Sequence, residues 1–299
     1  MEKMEIKLRT LTPLWTGGVD QTSDRLHETG LIGSLRWWYE ALVRGLGGYA
    51  CDPTSDGRCE YDPKKKEPPE KQLCPACHLF GCTGWARKFR LQAIDTNGKI
   101  IQGPLSAPNT EFFLRFVELR PMADAEKWLL ARTVWIAATY GALGGKTTLK
   151  PQKDTRKGAD FGIVQWVDVS PQARKPDNLN EYLSQFRQTT VSMPDLRWFF
   201  SVQGAFLWRK QINNLIGLSE NGQRVAGNAP YQEFLRGRRG DAHHDAISKK
   251  IFSFRVDGGR IWWYARDAAM RDEIISHIRA ELGQVSYIMK TGEEVLNEL

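Results

Sequence analysis

Five cysteines fall between residues 51 and 82, spaced Cys51-x7-Cys59-x14-Cys74-x2-Cys77-x4-Cys82, and no cysteine follows. Thiolates bind soft metals, and a Cys-x2-Cys pair is one half of a tetrahedral zinc site; Cys51 and Cys59 would complete four sulfur ligands. The x7 separation is wider than the usual knuckle, and Cys82, after Leu-Phe-Gly, reads as a buried residue outside the set. An odd number of thiols crowded into one segment is not the framework of a secreted disulfide scaffold. No His-Glu general-base arrangement accompanies them. The metal the spacing suggests is therefore a structural zinc clipping a proline-rich, otherwise unstructured insertion, and no other cofactor is required.

The stretch GALGGKTTLK (141–150) poses a different chemistry. A phosphate-binding Walker loop needs Gly, four residues, then Gly-Lys-Ser/Thr. Counting back from Lys146, that first position is Tyr140, and Gly141 is one residue too close. The remaining reading is a glycine-rich turn that carries Lys146, Lys150, Lys153, Arg156 and Lys157 against one acid, Asp154. Phosphate contacts need Lys, Arg and accessible amides, whereas single-stranded bases need open aromatic faces. On that basis Arg25 and His27, ahead of a helix carrying Ser34, Arg36 and Arg44, are further candidates for RNA contact. So are Arg87, Lys88 and Arg90 in WARKFR, and Arg236, Arg238, Arg239, Lys249 and Lys250 around His243 and His244. The blander alternatives are Arg36 and Arg44 pairing with Glu40 on a solvated helix face, a solvated strand edge, and a flexible basic loop. Trp38 lies on the apolar stripe of its helix; Trp37 lies off it and is the one placed to stack on a base.

These residues need a scaffold, and the periodicities supply one. EIKLRTLTPLW alternates like a half-buried strand, and SLRWWYEALVRGLGG reads as a helix capped by Ser34 and stopped by Gly47 and Gly48. Leu31, Leu35, Trp38, Leu42 and Leu46 form its apolar stripe. Strands are expected at 85–94, 112–119 and 161–169, with a helix at 124–140, giving the β-α-β-β-α-β order of a ferredoxin-like domain. The order repeats more weakly in the second half: a strand in WFFSVQGAF, a short helix in KQINNLIGL, a hairpin around Asp257-Gly258-Gly259, a helix ending at Gly283, and a strand in VSYIM. The fold class read from the sequence is α+β, with two tandem ferredoxin-like domains. The first spans 1–180 with a cysteine-containing insertion at about 47–83, and the second spans 181–299.

The chain has 299 residues, a net charge of +7 and a pI near 9.1. A basic balance favours a polyanionic partner. No run approaches about 18 apolar residues and the N-terminus carries no signal-peptide core, so a soluble cytoplasmic protein without membrane contact is expected.

TPLWTGG (12–18), TGLIGSLRWWYEALVRGLGGYACDP (29–53) and CPACHLFGCTGWARKFRL (74–91) resemble the RAMP subunits of CRISPR effector complexes, most closely the first-numbered RAMP subunit of the type III-B (Cmr) complex. The resemblance implies tandem ferredoxin-like domains that bind RNA and sit at the 3′ end of the guide. It implies a subunit that is not itself the nuclease, with guide or target RNA and other Cmr proteins as partners in antiviral defence. In this chain the glycine loop is extended by LKPQKDTRKGAD. The competing reading is a metal-independent CRISPR RNA-processing endoribonuclease that would use His27, His243 or His244 as general acid or base.

Overall fold

A computed structural model describes residues 2–17, 22–145, 160–189, 194–237, 247 and 250–299. The chain divides into two compact units, Met1–Gly145 with Phe161–Leu196 and Leu299, and Lys146–Asp160 with Arg197–Glu298.

In the first unit, strands β1 (Lys3–Thr10), β2 (Phe89–Ile94), β3 (Glu111–Glu118) and β4 (Val164–Ser170) form an antiparallel sheet in the order β2-β3-β1-β4. Helix α1 (Glu28–Gly45) joins β1 to β2, and α4 (Asp124–Tyr140) joins β3 to β4. The period-two pattern read from the sequence is the one observed. Met4, Ile6 and Leu8 point inward opposite Phe116, Leu114 and Phe112. Because side chains alternate across a strand, Lys3, Glu5, Lys7 and Arg9 fall on the outer face.

Three details differ from expectation. Helix α1 begins at Glu28 rather than Ser34, although Gly30 and Gly33 are poor helix formers. The Thr16 hydroxyl accepts the His27 amide at 2.8 Å and fixes the chain's entry, while Leu31 is buried. The cysteine insertion is not unstructured; it holds helices α2 (Pro69–Gln72) and α3 (Pro75–Phe80), and every residue of α3 is buried. The first unit also runs to Leu196 rather than ending near 180. Helix α5 (Leu179–Gln185) belongs to it because Leu179, Leu183 and Phe186 are buried, with Phe186 edge-on to His78 at 5.2 Å.

The second unit repeats the topology. Strands β5 (Phe199–Gln203), β6 (Ile251–Phe254), β7 (Arg260–Tyr264) and β8 (Ile288–Thr291) are ordered β6-β7-β5-β8, again antiparallel. Helices α6 (Arg209–Leu215) and α7 (Pro230–Arg236) precede β6, and α8 (Ala268–Leu282) precedes β8. Helix α9 (Gly292–Asn297) closes the chain. Phe200, Val202, Ile261 and Trp263 pack with Ile212, Ile274 and Ile278 in one apolar core. The Asp267 side chain caps α8 by accepting the Met270 amide at 2.8 Å. Both sheets thus carry the ferredoxin-like strand order, and the chain is a tandem of that fold.

Candidate nucleic-acid interface and thiol cluster

Helix α1 ends at Gly45, and Gly47, with φ +85°, turns the chain so that Cys51 returns beside the helix. Cys74 caps α3 and Cys77 sits in its first turn, while Cys59 lies in the loop between. The Sγ atoms of Cys51, Cys59, Cys74 and Cys77 all lie within 4.8 Å of one another, and all four residues are buried. The Cys51–Cys77 separation is 3.4 Å and Cys51–Cys74 is 3.8 Å. Main-chain amides aim at the sulfurs: Cys74 N donates to Cys59 Sγ at 3.3 Å, and Cys77 N to Cys74 Sγ at 3.4 Å. Cys82 stands outside this group, half-buried rather than buried as expected, with its sulfur toward the Thr83 carbonyl.

The cations of α1 face this cluster, not solvent. Arg36 donates from Nε to Glu40 at 2.8 Å, from one terminal nitrogen to the Gly81 carbonyl at 2.8 Å, and from the other to Cys77 Sγ at 3.1 Å. Arg44 is 1 % exposed and donates to the carbonyls of Ala50, Cys51 and Pro194. Its expected contact with RNA is corrected: no part of its guanidinium reaches the surface. Glu40 lies between the two arginines; burial pushes its carboxyl up to about 7 against the pull of Arg36. The helix side read as solvated is instead the side on which the insertion folds back.

Lys88 is corrected in the same way. It is buried and bonded to Glu126 at 2.9 Å, and the other oxygen of Glu126 meets His78 Nδ1 at 2.9 Å. Glu126 is 0 % exposed; burial acts to raise its pKa, but His78 and Lys88 outweigh it and hold the carboxyl below its ordinary value. His78 stacks on Trp85 at 5.5 Å. The sequence signal for Glu126 was only that of a residue near a helix start, where it does accept the Ala123 amide. Arg87 bends back, its Nε donating to the Phe89 carbonyl at 2.7 Å.

The glycine turn is anchored at its start. Trp38 Nε1 donates to the Ala142 carbonyl at 3.0 Å. Gly144 N donates to Ser34 Oγ at 3.1 Å, and Gly145 N to the Trp15 carbonyl at 2.8 Å. A β-carbon on Gly141 would lie 2.1 Å from the Trp38 ring, and one on Gly144, whose φ is +82°, 2.6 Å from the Trp15 oxygen. Only glycine fits these approaches. The loop from Thr22 to His27, the start of α1 and the glycine turn therefore meet at one junction. Arg25 is exposed there, and His27 Nε2 lies 2.8 Å from Asp24 Oδ1. Trp37 is half-buried, edge-on to Trp38 at 5.0 Å. Lys146, Lys150, Lys153, Arg156, Lys157, Arg238, Arg239, His243, His244 and Lys249 lie outside the described residues.

The outer face of the first sheet was not singled out from the sequence. Lys7 and Arg9 each approach Glu111 at 2.7 Å, Arg115 approaches Glu5 at 2.6 Å, and Lys7 lies 5.9 Å from the Phe113 ring centre. Arg90 on β2 is exposed on the same face, opposite Val117 and hence Lys3. The alternation of β1 carried this signal; the strand pairing that gathers the cations did not show until β3 was placed beside β1.

Residues 7–149 match the RAMP superfamily. Comparison with curated proteins gave no match. Among solved structures, Cmr1 from Pyrococcus furiosus in its apo form aligns with a TM-score of 0.47 at 13% identity, covering 96% of this chain and 98% of that one. A chain of the type III-B Cmr-beta complex bound to cognate target RNA and AMPPnP aligns with a TM-score of 0.49 at 11% identity, covering 93% and 98%. A chain of a type IV-B CRISPR complex aligns with a TM-score of 0.35 at 15% identity, covering 59% and 93%. Among the described residues, no helix is long and apolar enough to cross a membrane.

Proposed function

Residues 7–149 belong to the RAMP superfamily, and from that premise we propose that this chain is a non-catalytic RNA-binding subunit of a type III-B CRISPR RNA-guided interference complex. Its place is near the 3′ end of the guide, contacting guide or target RNA alongside other Cmr subunits in the cytoplasm. The observation that supports it is that the family match runs to residue 149, inside GALGGKTTLK. It therefore takes in the junction where the glycine turn, Trp15 and the start of α1 meet. Among the described residues no side chain caps α1, and its N-terminal end is the positive pole of the helix. Exposed Arg25 adds charge at that end.

Binding of single-stranded RNA by the full chain across a range of salt concentrations tests this. Affinity should fall with salt with a slope of about 0.7 per phosphate neutralised. Affinity that ignores salt contradicts it. One observation favours the ribonuclease alternative: His27 is oriented by Asp24, as a general base is by its carboxylate. RNA incubated without metal should stay intact under the binding reading; cleavage abolished by His27→Ala would establish the alternative.

A further inference from the structure

We propose that Cys51, Cys59, Cys74 and Cys77 hold one zinc ion as a tetrahedral tetrathiolate, and that Arg36 is the charged partner that tunes it. The inference is independent of RNA binding and stands or falls without it.

Geometry is the first support. Four sulfurs at about 2.3 Å from a central zinc stand about 3.8 Å apart. The Cys51 sulfur lies 3.4 Å from Cys77 and 3.8 Å from Cys74, and all four sulfurs are mutually within 4.8 Å. A disulfide would need about 2.0 Å, and all five cysteines are free. Four thiols converging on one point at van der Waals separation have little packing reason to do so.

The surroundings are the second support. Two amides and a guanidinium point at sulfur: Cys74 N at Cys59, Cys77 N at Cys74, and Arg36 at Cys77. Neutral thiols are weak acceptors, whereas thiolates on a metal take such bonds as their outer shell. Four thiolates on a divalent ion leave a net charge of minus two in a buried place, and a buried charge must be paired. Arg36 meets that need at the sulfur itself. Among the described residues no histidine or carboxylate joins the four sulfurs. An all-sulfur, closed tetrahedral set suits zinc or a single iron, of which redox-inert zinc fits a structural clip, and it leaves no open position for catalysis.

The third support is position. The four ligands come from the segment that follows α1, the insertion loop and the start of α3, segments joined by little regular structure. One ion would tie all three together, and Arg36 would link that tie to the middle of α1.

The test uses the full chain purified without chelator or nickel resin. Elemental analysis should find about one zinc per chain. Replacement by cobalt(II) should give the intense visible bands of a tetrahedral thiolate site, with sulfur-to-metal charge transfer in the near ultraviolet. Cys82→Ser should keep the metal and Cys74→Ser should lose it. Arg36→Met should retain zinc but surrender it to a chelator about tenfold or more faster, the scale of an outer-shell loss. Zinc well below one equivalent together with no tetrahedral cobalt spectrum in the unmodified chain overturns the site. Because that reading uses the unmodified chain, a misfolded cysteine variant does not obscure it. Unchanged release from Arg36→Met removes the arginine's part.

Discussion

The two sheets have the same strand order, yet the first keeps one face for charge, while strands β6 and β7 of the second turn neither face to water. On the first, Lys7, Arg9 and Glu111, and Arg115 with Glu5, form ion pairs across β1 and β3 beside Phe113. On the second, β6 and β7 are buried at every position. Its non-core face is aromatic: Phe252 stacks on Trp262 at 3.7 Å, and Phe199 on Tyr264 at 5.1 Å. A charged, half-exposed face can meet a polyanion and contributes little to folding; a buried aromatic face does the reverse. The same topology thus separates two duties, and variants can challenge that division.

The largest effect is expected from Trp262→Ala. Trp262 is 4 % exposed and stacks on Phe252 at 3.7 Å. Its loss should cost about 3–5 kcal/mol in denaturant unfolding, while Phe113→Ala should cost far less. Similar costs for the two would erase the contrast.

Acid should separate the units next. Glu126 is held below its ordinary value of 4.5 by His78 and Lys88. A depressed folded pKa gives stability that is present above the unfolded value and lost as pH falls through the folded one. The buried charged side chains of the second unit are, among the described residues, the cations Lys250, Arg260 and Arg271. Amide-exchange protection, corrected for intrinsic rates, should therefore fail first in residues 89–140 as pH drops below about 4.5. Glu126→Gln should already be destabilised at neutral pH, because Lys88 is left buried without its partner. Equal acid sensitivity in both units would count against this account.

A smaller effect concerns RNA. Replacing Lys7, Arg9 and Arg115 together by Ala should flatten the salt dependence of RNA binding by at most about two units. Their pairing with Glu111 and Glu5 makes the real loss smaller. No change would assign RNA to the α1 junction instead, where Arg25→Ala should then reduce affinity. The smallest effect belongs to Glu111→Gln, which should leave the unfolding midpoint nearly unmoved, since solvent-screened pairs contribute little.

Much of this was legible in the sequence. Alternation places β1 and β3, the helix expected at about 124–140 is observed at Asp124–Tyr140, and Asp257-Gly258-Gly259 marks the hairpin. The cysteine set was legible too, because spacing is a local property. The directions of Arg44 and Lys88 were not. A helix periodicity shows that Arg36, Glu40 and Arg44 share a side; whether that side meets water depends on where residues 50–82 fold. Lys88 required Glu126, 38 residues away, to be brought beneath it. Charge paired over such distances leaves no trace in a window of ten or twenty residues.

The bond from Arg44 to the Pro194 carbonyl spans 150 positions of sequence, and it sets a schedule for synthesis. A ribosome delivers α1 early, together with the Ala50 and Cys51 carbonyls that accept from its arginine in the folded unit. Strand β4, which completes the sheet along β1, emerges much later, and the last acceptor for Arg44 later still. Until residue 194 has cleared the exit tunnel the nascent unit lacks one acceptor for a cation that it must bury, so its folding waits for its own last residues. A stalled chain long enough to expose β4 but not residue 194 should be digested readily at α1, and one long enough to expose residue 196 should resist.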